Sequence, residues 1–318
     1  MSEGPRPRYA YLGPAGTFTE AALRQVVSPE EAEFLPQVDV VSAIEAVRSG
    51  GADFAVVAIE NSVEGGVTAV LDTLAAGEPL VLLREMLVPV SFVLAARAGT
   101  ALQDVRRVSA HPHAWAQCRR WLSGNLAGAV HVPATSNTAP AALLGAAAGD
   151  EPLGFDAALV PPMAVAHYGL TALAEHVSDN EHAVTRFVVV GRPGTPPAPT
   201  GADKTTLVVH LPSNQAGALL EMLEQLATRG VNLSRIESRP IGDALGRYSF
   251  SMDAEGHVAD ERMAEALMGL HRVCPYVRFM GSYPRVDAPV GDLREGTSDA
   301  DFQAARAWVE AIRAGRTL

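Results

Sequence analysis

The sequence predicts an α/β chain in two parts: an alternating α/β part, then a smaller ferredoxin-like part of βαββαβ order. Three observations predict it. Over the first ~190 residues, short apolar runs alternate with helix-like stretches, the pattern of a mostly parallel sheet covered by helices. Gly191 to Asp203, with Pro193, Pro196, Pro197 and Pro199, then reads as a linker. Beyond it the order changes to strand, helix, strand, strand, helix, strand.

Each element has a local reason. Tyr9–Leu12 reads as a strand and Gly13-Pro14-Ala15-Gly16 as a turn. Thr17-Phe18-Thr19-Glu20 has the Thr-x-x-Glu form of a capping box, so a helix should begin there, and Ser42-Ala43-Ile44-Glu45 repeats the signature. Phe54–Ile59 is a near-continuous apolar run, as expected of a strand buried on both faces. It ends in the polar loop from Glu60 to Gly66, before a helix from about Val67. Strands follow near Val88–Ala95, Val105–Ser109, Ala129–Val132 and Ala157–Val160, with helices over Pro112–Leu122, Pro140–Ala148 and Met163–Tyr168. After the linker come a strand at Thr205–Leu211, a helix at Ala216–Arg229 and a strand at Val231–Ser238. A Gly242-Asp243 turn leads to a strand at Gly246–Asp253, then a helix at Ala259–His271 and a strand at Tyr276–Gly281. In the tail, Phe302, Ala305, Val309 and Ile312 recur at helical spacing, the pattern of a short amphipathic helix that docks on the body or on a neighbouring subunit.

Composition narrows the chemistry. With 318 residues, 48% hydrophobic and 19% charged, the chain can bury one large core or two to three domains and is not disordered. A net charge of −11 disfavours nucleic acid and anionic membranes as partners. Of the 25 basic residues only Lys204 is lysine, and it opens a strand. A Schiff-base lysine and a P-loop are therefore not expected. Cys118 and Cys274 make no Cys-x-x-Cys pair, and His111 and His113 have no accompanying carboxylate cluster, so no metal or thiolate site is expected. The start Met1-Ser2-Glu3-Gly4-Pro5 does not resemble a leader, and no run reaches the ~18 apolar residues of a membrane span. A cytoplasmic protein is the expectation, and the charge does not exclude an anionic metabolite, because a site needs only a few local positive groups.

Polar clusters fall at strand ends, where open α/β sheets bind ligands. Thr185-Arg186-Phe187 precedes the apolar run Val188–Val190, which sets a hydroxyl beside a guanidinium whose planar fork suits a carboxylate. Alone, the tripeptide fits equally an ordinary strand start with a surface arginine. The turn Gly13–Thr17 and the run Thr135-Ser136-Asn137-Thr138 each offer donors at a helix start, as carboxylate sites or as plain caps. The first lacks Gly-x-Gly-x-x-Gly spacing, which disfavours a dinucleotide. Glu60 and Asn61 can bond a substrate hydroxyl or merely close their loop. Ser109-Ala110-His111-Pro112-His113 ends a strand before a helix, where a histidine serves more often as cap than as acid, and no serine elbow is present.

Together these residues resemble the prephenate dehydratase family. Tyr11 to Glu20, Ile59-Glu60-Asn61-Ser62 with Gly65, His111-Pro112 with Gln117-Cys118, Asn137-Thr138-Ala139 and Thr185-Arg186-Phe187 are similar to its motifs in order. Gly217-Ala218-Leu219-Leu220 and Glu237-Ser238-Arg239-Pro240 resemble the phenylalanine-binding motifs of an ACT domain. The likeness covers about residues 8–285. Phe92, Ala110, Ala183 and Ala216 depart from it, standing where a histidine, a serine, an asparagine and a proline are frequent.

The resemblance implies a two-lobed, periplasmic-binding-protein-like (type II) catalytic domain over 1–192, with lobe one at about 8–85 and 177–192 and lobe two at about 86–176. A linker at 193–203, an ACT regulatory domain at 204–285 and a tail at 286–318 complete the chain. It implies decarboxylating dehydration of prephenate to phenylpyruvate without a cofactor. Thr185 would assist the leaving hydroxyl and Arg186 anchor a carboxylate, while Glu60, Asn61, Ser62, Thr17, Asn137, Thr138 and Phe187 line the cleft. Phenylalanine would bind through Asn214, Gly217, Ala218, Leu219, Asn232, Leu233, Glu237 and Ser238 in a homodimer or homotetramer, and feed back on the activity. Arogenate dehydratase and a non-catalytic amino-acid sensor are the alternative readings.

Overall fold

Apolar strands from distant parts of the chain build the first sheet. They are β1 (Arg8–Leu12), β2 (Glu33–Gln37), β3 (Phe54–Asn61), the two-residue β4 (Gly65–Gly66), β5 (Val81–Pro89) and, returning much later, β11 (Val184–Gly191). The strand order is β2-β1-β3-β11-β5 with β4 paired to β3. β1 runs parallel to both β2 and β3, whereas β4 is antiparallel. The second sheet takes β6 (Val93–Ala96), β7 (Arg107–Ala110), β8 (Val130–Pro133), β9 (Ala157–Val160) and β10 (Thr171–Ala174) in the order β10-β6-β9-β7-β8. β7 is parallel to β8 and β9, and β6 antiparallel to β9 and β10. The first part is thus two α/β lobes, each on a mixed sheet. The computed structural model describes residues 5–147, 152–211, 213, 215–241, 248–286 and 293–316. Asn214, the Gly242-Asp243 turn and Ala148 lie outside them.

The helices depart from expectation where local chemistry outvotes pattern. α1 (Phe18–Leu23) is capped by Thr17, but α2 (Val40–Arg48) starts earlier than Ser42 because Asp39 accepts from the Ser42 N–H at 2.7 Å. α3 (Thr68–Ala75) follows β4. The single helix expected over Pro112–Leu122 is two, α4 (Pro112–Gln117) and α5 (Arg119–Asn125), because Cys118 leaves helical geometry. Asp179 then takes the Arg120 and Trp121 N–H groups and starts α5 afresh. α6 (Ala139–Ala146) and α7 (Pro162–His167) complete the second lobe.

Two strands differ for physical reasons. β2 escapes the sequence pattern because it holds Pro36 and few apolar residues, which an edge strand tolerates. The apolar run at Val88–Ala95 is not one strand. Val88 is buried in the core of the first lobe, while Phe92 and Leu94 are buried in the core of the second. The chain changes sheets between Pro89 and Val93, and apolar periodicity is blind to which core receives each half.

The last part is a four-stranded antiparallel sheet with two helices. β12 (Asp203–His210), α8 (Ala218–Ala227), β13 (Leu233–Pro240), β14 (Tyr248–Glu255), α9 (Glu261–Val273) and β15 (Tyr276–Pro284) give the βαββαβ order, with strands arranged β13-β14-β12-β15. Leu207, Val209, Met252, Met222 and Leu270 are among its buried core. On β12–β14, Asp253 is fully buried and accepts from Arg235 Nε at 2.9 Å and Thr206 Oγ1 at 2.7 Å. α10 (Asp299–Arg313) closes the described chain.

The chain forms two compact units: Met1–Val70 with Met86–Val189, and Leu71–Glu85 with Val190–Leu318. Leu71–Glu85 joins the second unit through polar ties. Arg278 donates to the carbonyls of Leu74, Ala75 and Gly77, and Arg239 pairs with Asp72 at 2.8 Å. The backbone of β15 presses on the same segment at Gly281, whose φ is +124° and whose added Cβ would lie 2.2 Å from the Leu82 carbonyl oxygen. Gly281→Ala is therefore expected to destabilise the second unit by about 1–3 kcal/mol, as overpacking does. An unshifted melting curve would contradict this close approach.

Candidate active site

Two neighbouring strand ends build the centre of the first unit. Successive side chains on a strand point to opposite faces. At the end of β3 this alternation separates Glu60 from Asn61, and at the start of β11 it separates Thr185 and Phe187 from Arg186. The structure matches the two faces across the strands. Asn61 Nδ2 donates to Thr185 Oγ1 at 2.8 Å on one face, and Arg186 Nε donates to Glu60 Oε2 at 3.1 Å on the other.

A cavity of about 850 Å³ opens on the Asn61–Thr185 face. Thr17, Asn61, Asn137, Thr138, Thr185 and Phe187 all line it. Glu60, Ser62 and Arg186 are not part of its lining. Arg186, 6% exposed and expected from the sequence as a carboxylate anchor, is held against Glu60. Ser62 instead ties the loop to β11: its N–H donates to the Val184 carbonyl at 2.9 Å and its Oγ accepts from the Val184 N–H at 3.0 Å.

Asn61 is locked in one orientation. Its Oδ1 accepts from the N–H groups of Val63 and Glu64 at 2.8 and 3.2 Å, which leaves the Nδ2 side for Thr185. Because Thr185 Oγ1 already accepts from Asn61, its own hydrogen is available to the cavity.

The two helix starts behave differently. Thr17 spends its hydroxyl on the chain itself, donating to the Leu12 carbonyl at 3.1 Å and accepting from the Glu20 N–H at 3.2 Å. Buried Glu20 takes the Gly16 N–H at 2.6 Å and holds Arg24. Burial of Tyr11, reinforced by the charge of Glu20, pushes the Tyr11 hydroxyl up to about 12. This turn is mainly a cap. At α6, by contrast, Thr138 makes no capping bond, and its Oγ1 and the Asn137 Oδ1 are buried without a hydrogen-bond partner. Leaving a buried polar atom unsatisfied costs about 1–3 kcal/mol, which a ligand can recover.

Sequence reasoning did not foresee several wall residues. Gln37 and Val38 enter through the unforeseen β2, and Glu64 through the loop after β3. His111, part of a family-like motif, and His113, neither of them expected as a cleft residue, also line the cavity. His113 Nδ1 pairs with Glu64 at 2.8 Å. Burial, aided by the charge of His113, lowers the His111 pKa and favours its neutral form. Among the described residues no lysine or arginine lines the cavity, and no group of His, Cys, Asp and Glu is placed to hold a metal. The aromatic rings of Phe18 and Phe92 meet edge to face at 5.6 Å, and Tyr168 donates to the Ala15 carbonyl at 2.8 Å, joining the two lobes beside the cavity.

Residues 9–195 match the family model for prephenate dehydratase, and residues 205–272 that for the ACT domain. The chain belongs to the prephenate dehydratase family. A prephenate dehydratase of Amycolatopsis methanolica is 45% identical over 97% of this chain and 98% of its own length. One of Mycolicibacterium vanbaalenii is 46% identical over 98% and 99%. The solved structure of a prephenate dehydratase from Arthrobacter aurescens in complex with L-Phe has a TM-score of 0.90 and 53% identity, covering 96% of this chain and 99% of that one. Prephenate dehydratase is a carbon–oxygen lyase, converting prephenate to phenylpyruvate, carbon dioxide and water in phenylalanine biosynthesis.

The residues expected to serve phenylalanine lie in the second unit. Gly217 caps α8 with φ +90°, a conformation that by itself calls for glycine, and an added Cβ there would meet nothing within 4 Å. Ala218 is buried and Leu219 is 40% exposed. Asn232 precedes the edge strand β13, and its carbonyl accepts from the Glu255 N–H. Leu233 packs on the core. Glu237 shares the face of Arg235, 3.7 Å away, so alternation turns Ser238 to the other face. These strand residues therefore do not all face one way.

Among the described residues, no helix is long and apolar enough to cross a membrane.

Proposed function

We propose that prephenate loses its ring hydroxyl and its ring carboxylate in the cavity at the ends of β3 and β11, with Thr185 as the group that assists the hydroxyl. The reaction breaks the ring C–O bond and the bond to the departing carboxylate. The electron pair of the second bond completes the aromatic ring, carbon dioxide leaves, and the hydroxide takes a proton to become water. The arene supplies the overall driving force, so the protein must hold the carboxylates, help the hydroxyl depart and exclude water. The single observation that carries the reading is the Asn61–Thr185 hydrogen bond, which turns the threonine into a donor aimed at substrate. A threonine is a weak acid, so it polarises or relays more readily than it ionises.

Among the described residues, no arginine of this wall meets the carboxylates. The start of α6 supports that role instead: a helix N-terminus carries partial positive charge, and Thr138 brings an unsatisfied hydroxyl. Arg186 acts through Glu60 as a positioning residue that aligns the two strand ends. Phe18, Phe92, Val90 and Phe187 supply apolar wall against water. Glu64, the one carboxylate lining the cavity among the described residues, has an oxygen engaged by His113 Nδ1 at 2.8 Å, which leaves less of it for the ammonium of arogenate and favours a keto side chain. The ratio of kcat/KM for the two substrates tests that preference.

Asn61→Asp probes the arrangement. The carboxylate can still accept from Val63 and Glu64, but it offers Thr185 an acceptor and draws its hydrogen away from substrate. The expected result is a kcat reduced about 100-fold or more with KM little changed. An unchanged kcat would show that the orientation of Thr185 does not matter.

Regulation follows from the second unit. Phenylalanine bound through the residues around Gly217 and β13, between subunits of a homodimer or homotetramer, would bias open and closed arrangements of the assembly. The Phe-bound relative supports this. The two buried free thiols, Cys118 and Cys274, suit a reducing cytoplasm. An ultraviolet assay for phenylpyruvate, run with and without phenylalanine, is the decisive experiment. Product formation slowed by phenylalanine is expected. No product would leave an amino-acid sensor as the better reading, and an effector without influence on rate or melting temperature would remove the regulatory one.

A further inference from the structure

α10 carries a surface that neither catalysis nor effector binding uses. Its Ser298 capping box makes the start of the helix self-sufficient. It lies on α9, where Arg306 pairs with Glu261 at 2.7 Å and Asp299 Oδ1 accepts from the Glu261 N–H at 2.9 Å. Away from those contacts Trp308, Val309 and Ile312 remain 55%, 38% and 49% exposed. Phe302, Ala305, Val309 and Ile312 recur at intervals of three and four, the spacing of a seam between two helices. Exposed apolar residues gathered in that register on a charged helix mark an interaction surface.

We propose that the occupant is the same helix of a second copy of this chain, antiparallel about a twofold axis near Ala307. Charge selects this partner and this direction. Asp299 and Asp301 begin the helix, and Arg313 and Arg316 end its region. An antiparallel pair sets each acidic start beside the other copy's basic end and opposes the two helix dipoles, whereas a parallel pair stacks like charges. The same register lays Phe302 on the partner's Ile312, Ala305 on the partner's Val309, and Trp308 beside the partner's Trp308. Such a contact is isologous and closes at a dimer, so a larger assembly needs a second surface. The helix is about 22 Å long, so the pair adds to the stability of an assembly rather than forming a large interface.

Sedimentation velocity on the full chain over a concentration series tests this. The wild-type chain is expected to associate. V309E/I312E, changed only at exposed positions, is expected to raise the dissociation constant of that dimer about tenfold or more, with the circular dichroism spectrum unchanged. W308C is expected to form a disulfide-linked dimer under mild oxidation, faster than A304C, which lies off the seam. Cys118 and Cys274 are buried and do not compete. A monomeric wild type, unaltered association of V309E/I312E, or cross-linking no faster in W308C than in A304C would overturn the proposal. The cross-linking comparison stands even if the double variant fails to fold.

Discussion

Replacing Thr185 by valine is expected to lower kcat by roughly 10²–10⁴-fold, the usual contribution of a positioned proton donor. Valine keeps the shape and the β-branch of threonine, so β11 should hold its register. What disappears is one hydroxyl, 7% exposed, with Asn61 on one side and the cavity on the other. The loss should fall mainly on kcat, because the bond to the departing hydroxyl strengthens as that group gains charge. Thr185→Ser should retain far more activity, since it returns the donor. The check is steady-state kinetics of both variants beside a melting curve. A near-normal kcat in the valine variant would remove Thr185 from the mechanism and shift attention to His111 and His113.

The largest stability effect is expected at Lys204, the only lysine of the chain. Its side chain is 6% exposed and lies 2.9 Å from Glu85, which is 1% exposed and also accepts from the Val286 N–H at 3.0 Å. Lys204→Met removes the ammonium from beside a buried carboxylate. Breaking a buried pair in this way costs about 3–5 kcal/mol, whereas replacing both partners with apolar residues is often neutral. Lys204→Met/Glu85→Leu should therefore recover most of what the single variant loses. Calorimetry that follows the second unit's transition separates the outcomes. A single variant within about 1 kcal/mol of wild type would mean that water reaches the pair.

The mechanism was legible to different depths at different residues. Thr185 and Asn61 could be named as candidates because a hydroxyl and an amide at strand ends are chemically conspicuous. Their hydrogen bond could not, since 124 residues separate them. Arg186 shows the reverse. Its chemistry suits a carboxylate, yet alternation along β11 turns it away from the cavity and towards Glu60. Residue type suggested an anchor for substrate, and the folded chain sets the side chain against Glu60. The same logic applies to Thr17 and Thr138, two helix-start threonines that read alike in sequence. One is consumed as a cap and the other keeps an unsatisfied hydroxyl at the cavity wall.

By itself the sequence determined the two-part architecture, the βαββαβ order after the linker, and the family, because hydrophobic periodicity, turn residues and ordered motifs are local properties. Tertiary structure alone decided that the run around Val88–Ala95 is shared between two sheets, that the proline-bearing β2 joins an edge, and that Leu71–Glu85 groups with the second unit. Each of these depends on which distant core or ion partner a segment meets. Local pattern shows that a residue must be buried, and only the folded chain shows against what.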